Sequence, residues 1–199
     1  MGTLPAVRVS RGIVLSAVVC ALVLAACGSK STPGSTTDTT PLTEASGATG
    51  GHIAIPAKAT PSISAKMICE SEVKNELSSL LGVQTDQPIV PTWKDHVYSC
   101  TYHYRGGALT LAVKELTDKA STDAYFDQEA KDLGKSEKIN GLGQGAFTTS
   151  NKSAVVRKDY KVLLVDISKL PAQFGNPPDS RENIALNVAA TIMGCWTGA

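Results

Sequence analysis

The chain has 199 residues, of which 42% are hydrophobic, 19% charged and 5% aromatic. That apolar share excludes a wholly disordered chain, and the length fits one domain with appendages. A formal charge of +1 and three histidines give neither the basic stripe that nucleic acid needs nor the ligand supply of a large metal site.

The chain opens with Arg8 and Arg11, followed by 14 uncharged residues from Ile13 to Ala26. A run of 14 is shorter than the roughly 17–25 residues of a spanning helix and fits the apolar core of an export signal. It ends in Leu24-Ala25-Ala26-Cys27, which resembles the lipobox of bacterial lipoproteins. The resemblance implies that residues 1–26 are removed as a signal peptide and that Cys27 is lipidated through its sulfur. Plain secretion after an Ala-x-Ala-like cut is the alternative. Loss of Arg8 and Arg11 leaves 17 basic against 18 acidic residues, a net charge of −1. Such a surface has no long-range pull on acidic partners.

Residues 27–61 read as a tether. Between positions 28 and 51, 18 of 24 residues are Gly, Ser, Thr or Pro, too little apolar surface to offset the entropy of ordering. The Thr density also suits O-glycosylation. His52-Ile-Ala-Ile-Pro56 and the stretch to Pro61 read as extended.

Residues 62–199 form the expected globular domain. Ser64 is placed to cap a helix from Ala65, with Cys69, Val73, Leu77 and Leu80 or Leu81 on one face and Gly82 as terminator. Tyr98-Ser-Cys-Thr-Tyr-His-Tyr104 alternates as a strand, with Tyr98, Cys100, Tyr102 and Tyr104 inward and His103 outward. Arg105-Gly106-Gly107 turns into a return strand through Leu109, Leu111 and Val113. A helix over 122–133 carries Phe126, Ala130 and Leu133 and stops at Gly134. A strand over 145–149 follows, then a hairpin of 154–157 with 161–167 whose run Val162-Leu-Leu-Val165 reads as a central strand. Pro171, Pro177 and Pro178 mark a loop, and a last helix starts at Asp179 or Ser180 with Ile184, Val188 and Ile192 on one face. The fold class is α+β, an antiparallel sheet of about four to six strands packed by two or three helices.

Cys20 leaves with the signal, so Cys69, Cys100 and Cys195 remain beside the lipidated Cys27. Outside the cytosol thiols pair. Cys69 and Cys100 both face the core and close a loop of 31 residues, which makes them the preferred disulfide; Cys69 with Cys195 is the alternative, and an intermolecular bond through Cys195 is a third arrangement.

The sequence carries few signs of catalytic chemistry. Gly141-Leu-Gly-Gln-Gly145 lacks the spacing of a dinucleotide loop and reads as a turn into a strand. His96, beside Asp95, and His103 offer no assembled nucleophile, base and acid. Glu70, Glu72, Glu76, Asp127 and Glu129 read as solvated charge on helix faces. The Tyr98, Tyr102 and Tyr104 row either lines a ligand pocket or is core, and Trp93 and Trp196 either anchor a partner or plug the core edge.

With the lipobox, the Thr/Ser/Pro tether, Cys69 on a helix ending Leu-Leu-Gly82, Tyr-Ser-Cys100-Thr-Tyr and Gly141-Leu-Gly-Gln-Gly-Ala-Phe147, the chain resembles the uncharacterised lipoproteins of the actinobacterial cell envelope. Cys195 departs from the two-cysteine pattern of that family. The resemblance implies a body moored by lipid on the outer face of the cell membrane, with one disulfide, no catalytic residues and no cofactor. The expected function is a non-enzymatic binding or interaction module whose partner is an envelope protein, a glycan or a lipid. The alternatives are a carrier of an apolar ligand in a cavity between sheet and helices, and a hydrolase with a cryptic site.

Overall fold

Ser62 rather than Ser64 begins the ordered helical part. Its hydroxyl accepts from the Ala65 amide and starts a short helix, α1 (Ile63–Met67). The single opening helix expected from the spacing is in fact two. The backbone swings to an extended conformation at Glu70 and restarts as α2 (Ser71–Leu81), so Cys69 lies at the joint between them. Val73, Leu77 and Leu81 are buried along α2 while Leu80 turns to solvent. Gly82 ends α2 at φ +64; a Cβ there would stand 1.9 Å from the Asn176 carbonyl oxygen, so both the left-handed backbone and the close approach require glycine.

The computed structural model describes residues 56–196; the signal peptide, Cys27 and most of the tether lie outside the described residues, as do the last three positions. Two residues on the tether side of the expected boundary are already tied to the body. The Ala57 amide donates to the Leu116 carbonyl (2.8 Å), and the Trp93 indole donates to the Ala59 carbonyl (3.0 Å).

The strands are β1 (Thr92–Lys94), β2 (Val97–Tyr104) and β3 (Gly107–Glu115), then β4 (Lys135–Ile139), β5 (Gly145–Thr149), β6 (Ala154–Lys158) and β7 (Lys161–Asp166). They form one sheet in the order β1-β2-β3-β7-β6-β5-β4, every pair antiparallel. Two meanders are thus joined edge to edge. The first runs β1 to β3; helix α3 (Lys119–Asp132) then carries the chain to the far edge, and the second meander returns until β7 lies beside β3. The fold is α+β, as read from the sequence, but among the described residues the sheet has seven strands instead of four to six and is accompanied by four helices instead of two or three. The added strands, β1 and β4, are both edges. The first is three residues long, and the second, Lys-Ser-Glu-Lys-Ile, has no apolar alternation to announce it. A small ribbon closes the loop of Pro171 to Pro178, with β8 (Gln173–Phe174) inside it paired to β9 (Asp179–Ser180) just after it.

The sheet has two unlike faces. The inner face, with Cys100, Tyr102, Tyr104, Leu111, Val113, Leu163 and Val165, packs against α1, α2 and the last helix, α4 (Arg181–Cys195), which presents Ile184, Val188 and Ile192. Ser180 caps α4 by accepting from the Asn183 amide, while Asp179 accepts from the Asn183 side chain. Trp196 closes this core, buried, with its indole donating to the Ser64 carbonyl at 3.0 Å. At one end of the inner face Glu115 and Lys161 are register partners, both buried, and the Glu115 carboxylate accepts the Ser62 amide at 3.3 Å.

Candidate functional site

The outer face is only half covered. Helix α3 begins one residue after Asp118, whose carboxylate accepts the Ser121 amide, so it starts three residues earlier than the spacing suggested. It lies over β5, β6 and β7, packing Phe126 edge-on to Phe147 at 5.0 Å, with Tyr125, Ala130 and Leu133 around Val155 and Val162. Arg157 of β6 clamps it, ion-paired with Asp123 and stacked 5.5 Å from the Phe126 ring. Beyond this helix, β1 to β3 present Ser99, Thr101, His103, Thr110 and Ala112 outward, with hydroxyls paired across strands: Thr92 with Ser99 at 2.8 Å and Thr101 with Thr110 at 3.0 Å.

A cleft of about 140 Å³ opens where the covered and bare halves meet. Its floor follows from the register. Val97 opposes Lys114, Lys114 opposes Val162, Ala112 opposes Leu164 and Leu164 opposes Val155. Helix α3 adds Tyr125 and, one turn on, Glu129. The floor is therefore aliphatic and the rim charged. The Lys114 ammonium donates to the Asp95 carbonyl at 2.6 Å and lies 5.7 Å from the centre of the Tyr125 ring. Burial, and then the neighbouring Glu129 carboxylate, hold the Tyr125 phenol in its neutral form well above the ordinary tyrosine range.

The structure puts the Tyr row on the opposite face, where it is core. Tyr102 and Tyr104 are buried, and burial raises both phenols above their usual range. The side chains that do line a cleft were hidden in the complementary positions, the outward residues of β2, β3, β6 and β7. Their signal was Ala112, Val162 and Leu164 where a solvated face would carry polar groups. Glu129, read as solvated charge, is half-buried at the cleft rim.

Cys69 and Cys100 stand at disulfide-bonding distance, Cα to Cα 5.9 Å, and join the α1–α2 joint to β2. Cys195 lies with its sulfur 3.9 Å from a Glu76 carboxylate oxygen. Asp95 and His96 form the β1–β2 turn, both at positive φ, with the His96 ring edge-on to Trp93 at 5.7 Å. His103 lies in β2, seven residues on from the turn and roughly 20 Å away at the usual rise, so the two histidines do not converge. Residues 141–145 make a tight turn into β5. Gln144 bonds Arg157 and Asp159, and a Cβ on Gly143 would stand 2.6 Å from the Arg157 carbonyl oxygen. No helix start follows that would hold a phosphate. Among the described residues no group of three or more His, Cys, Asp or Glu is placed to hold a metal, and no helix is long and apolar enough to cross a membrane.

Comparison with protein-family models, with curated proteins and with solved structures finds no match to this chain.

Proposed function

We propose that this chain is a lipoprotein of the cell envelope, moored by Cys27 on the extracytoplasmic face of the membrane, and that its body is a non-enzymatic binding module. The observation that carries the reading is the uncharged run Ile13 to Ala26 ending in Leu24-Ala25-Ala26-Cys27, with a Gly/Ser/Thr/Pro spacer behind it. A cysteine pair at bonding distance in the body suits the oxidising compartment that such export implies. The cleft supports the binding half of the reading, because an aliphatic floor with a few charged groups at its rim suits holding a ligand. At about 140 Å³ it favours a small group over the several hundred Å³ of a carrier for a large apolar ligand.

The test is the intact mass and partition of the mature protein. A first residue of Cys27 with added fatty mass, membrane recovery, and a Cys27→Ala variant that stays uncut and carries no fatty mass are the expected results. Mature protein starting elsewhere without lipid refutes the mooring. Crosslinking in intact envelope then identifies what the body holds.

A further inference from the structure

We propose that the cleft between β3, β7 and α3 binds a small amphiphile bearing both charges beside an aliphatic group, the chemistry of a free apolar α-amino acid, with its carboxylate at Lys114 and its ammonium at Glu129. This deepens the binding-module reading and rests on it.

A dry cavity of about 150 Å³ accommodates one benzene ring, so a 140 Å³ cleft takes one branched side chain or ring and not a long acyl chain. The floor of Val97, Ala112, Val155, Val162 and Leu164 supplies only aliphatic contact, so the part of the ligand that enters is apolar.

The rim selects the head group. The sheet contributes one ammonium, from Lys114, and the helix one carboxylate, from Glu129. Lys114 has three N–H groups, and the Asp95 carbonyl engages it at 2.6 Å, which leaves donors for a ligand. Glu129 lines the cleft one turn from Tyr125 and keeps acceptor sites on its two oxygens. A simple anion would gain Lys114 but be repelled by Glu129, and a simple cation would meet the reverse. A zwitterion satisfies both in a site partly shielded from water, where charge pairs are screened less. In a free α-amino acid the two charges sit on one carbon next to the side chain. In a peptide they are separated to its two ends.

The experiment is a titration of the purified full chain followed by the methyl resonances of Val97, Val155, Val162 and Leu164. Three probes of equal shape are compared: leucine, 4-methylpentanoate and isoamylamine. Leucine should shift these methyls saturably, with the two singly charged probes about tenfold weaker, the ratio expected for losing one hydrogen bond to a charged group. Lys114→Met should weaken leucine about tenfold and leave isoamylamine unimpaired; Glu129→Gln should weaken leucine and leave 4-methylpentanoate unimpaired. Both side chains are partly exposed, and unchanged thermal midpoints confirm folding. Should either variant fail to fold, the ranking of the three probes on the native chain decides alone. Equal response to the three probes, no response, or saturation only by phosphatidylethanolamine vesicles overturns the proposal. Mooring is read separately from mass and partition, so a failed titration leaves it standing, and the loss of mooring leaves the titration valid.

Discussion

The Tyr102 phenol donates a 2.5 Å hydrogen bond to the main-chain carbonyl of Ile68. Ile68 directly precedes Cys69, and Tyr102 follows two places after Cys100 on the same face of β2, so a covalent and a polar link fasten the same α1–α2 joint to the same strand. The carbonyl lies where α1 has ended and α2 has not begun, and a phenol reaching across the core satisfies it. Removing either link should be felt mainly as loss of stability.

Replacing Cys69 and Cys100 by alanine should lower unfolding free energy by about 3–4 kcal/mol, the loop-closure value for a cross-link of this span. Urea denaturation with and without reductant measures it. A loss below about 1 kcal/mol would mean that the unfolded chain is barely constrained by the bond.

Two tyrosines two places apart should behave oppositely. Tyr102→Phe strands the Ile68 carbonyl and should cost about 1–3 kcal/mol. The Tyr104 hydroxyl is buried with no hydrogen-bond partner among the described residues, its ring packed 5.4 Å from Phe174. Tyr104→Phe should therefore be neutral or slightly stabilising. Thermal denaturation of the two variants side by side decides it, and equal losses would contradict the contrast.

Alkaline pH should unfold the protein through its phenols. Burial raises Tyr98, Tyr102, Tyr104 and Tyr125 in the folded state relative to the ordinary value near 10. A raised folded pKa means that stability is complete below the unfolded value and is lost as pH climbs through the folded one. Tyrosinate absorbance of the native protein should lag behind that of the urea-unfolded chain and then rise together with loss of circular dichroism above pH 10 or so. Superimposable titrations of the two forms would disprove it.

Asp123→Ala should loosen α3 without unsettling the inner core. The pair with Arg157 is about a quarter exposed, so its global contribution is about 1 kcal/mol or less. Hydrogen exchange should accelerate for amides of α3 and stay unchanged in α4. Uniform acceleration would show that the helix does not open on its own.

Much of this architecture was legible in the sequence because burial on one face imposes a period. Tyr98 to Tyr104 and Leu109 to Val113 alternate, and they form the β2–β3 hairpin with Cys100 and Leu111 in register. Val162 to Val165 is apolar throughout because β7 is central, covered by α4 on one side and α3 on the other. The break at Glu70 was not legible, since Cys69, Val73 and Leu77 keep helical spacing across it. Nor was β4, whose exposed side chains carry no pattern. The cleft was illegible for a different reason. Its residues come from four strands and a helix, and only the order β2-β3-β7-β6 brings Val97 and Val155 to one floor.

The charged border strand has a further consequence. An open sheet invites a neighbouring copy to add strands at its margins, yet β4 offers Lys135, Glu137 and Lys138 there and carries an irregular register, while β1 is too short to template a ladder. Both margins therefore disfavour edge-to-edge pairing with a second copy, which smooth and longer edge strands would invite.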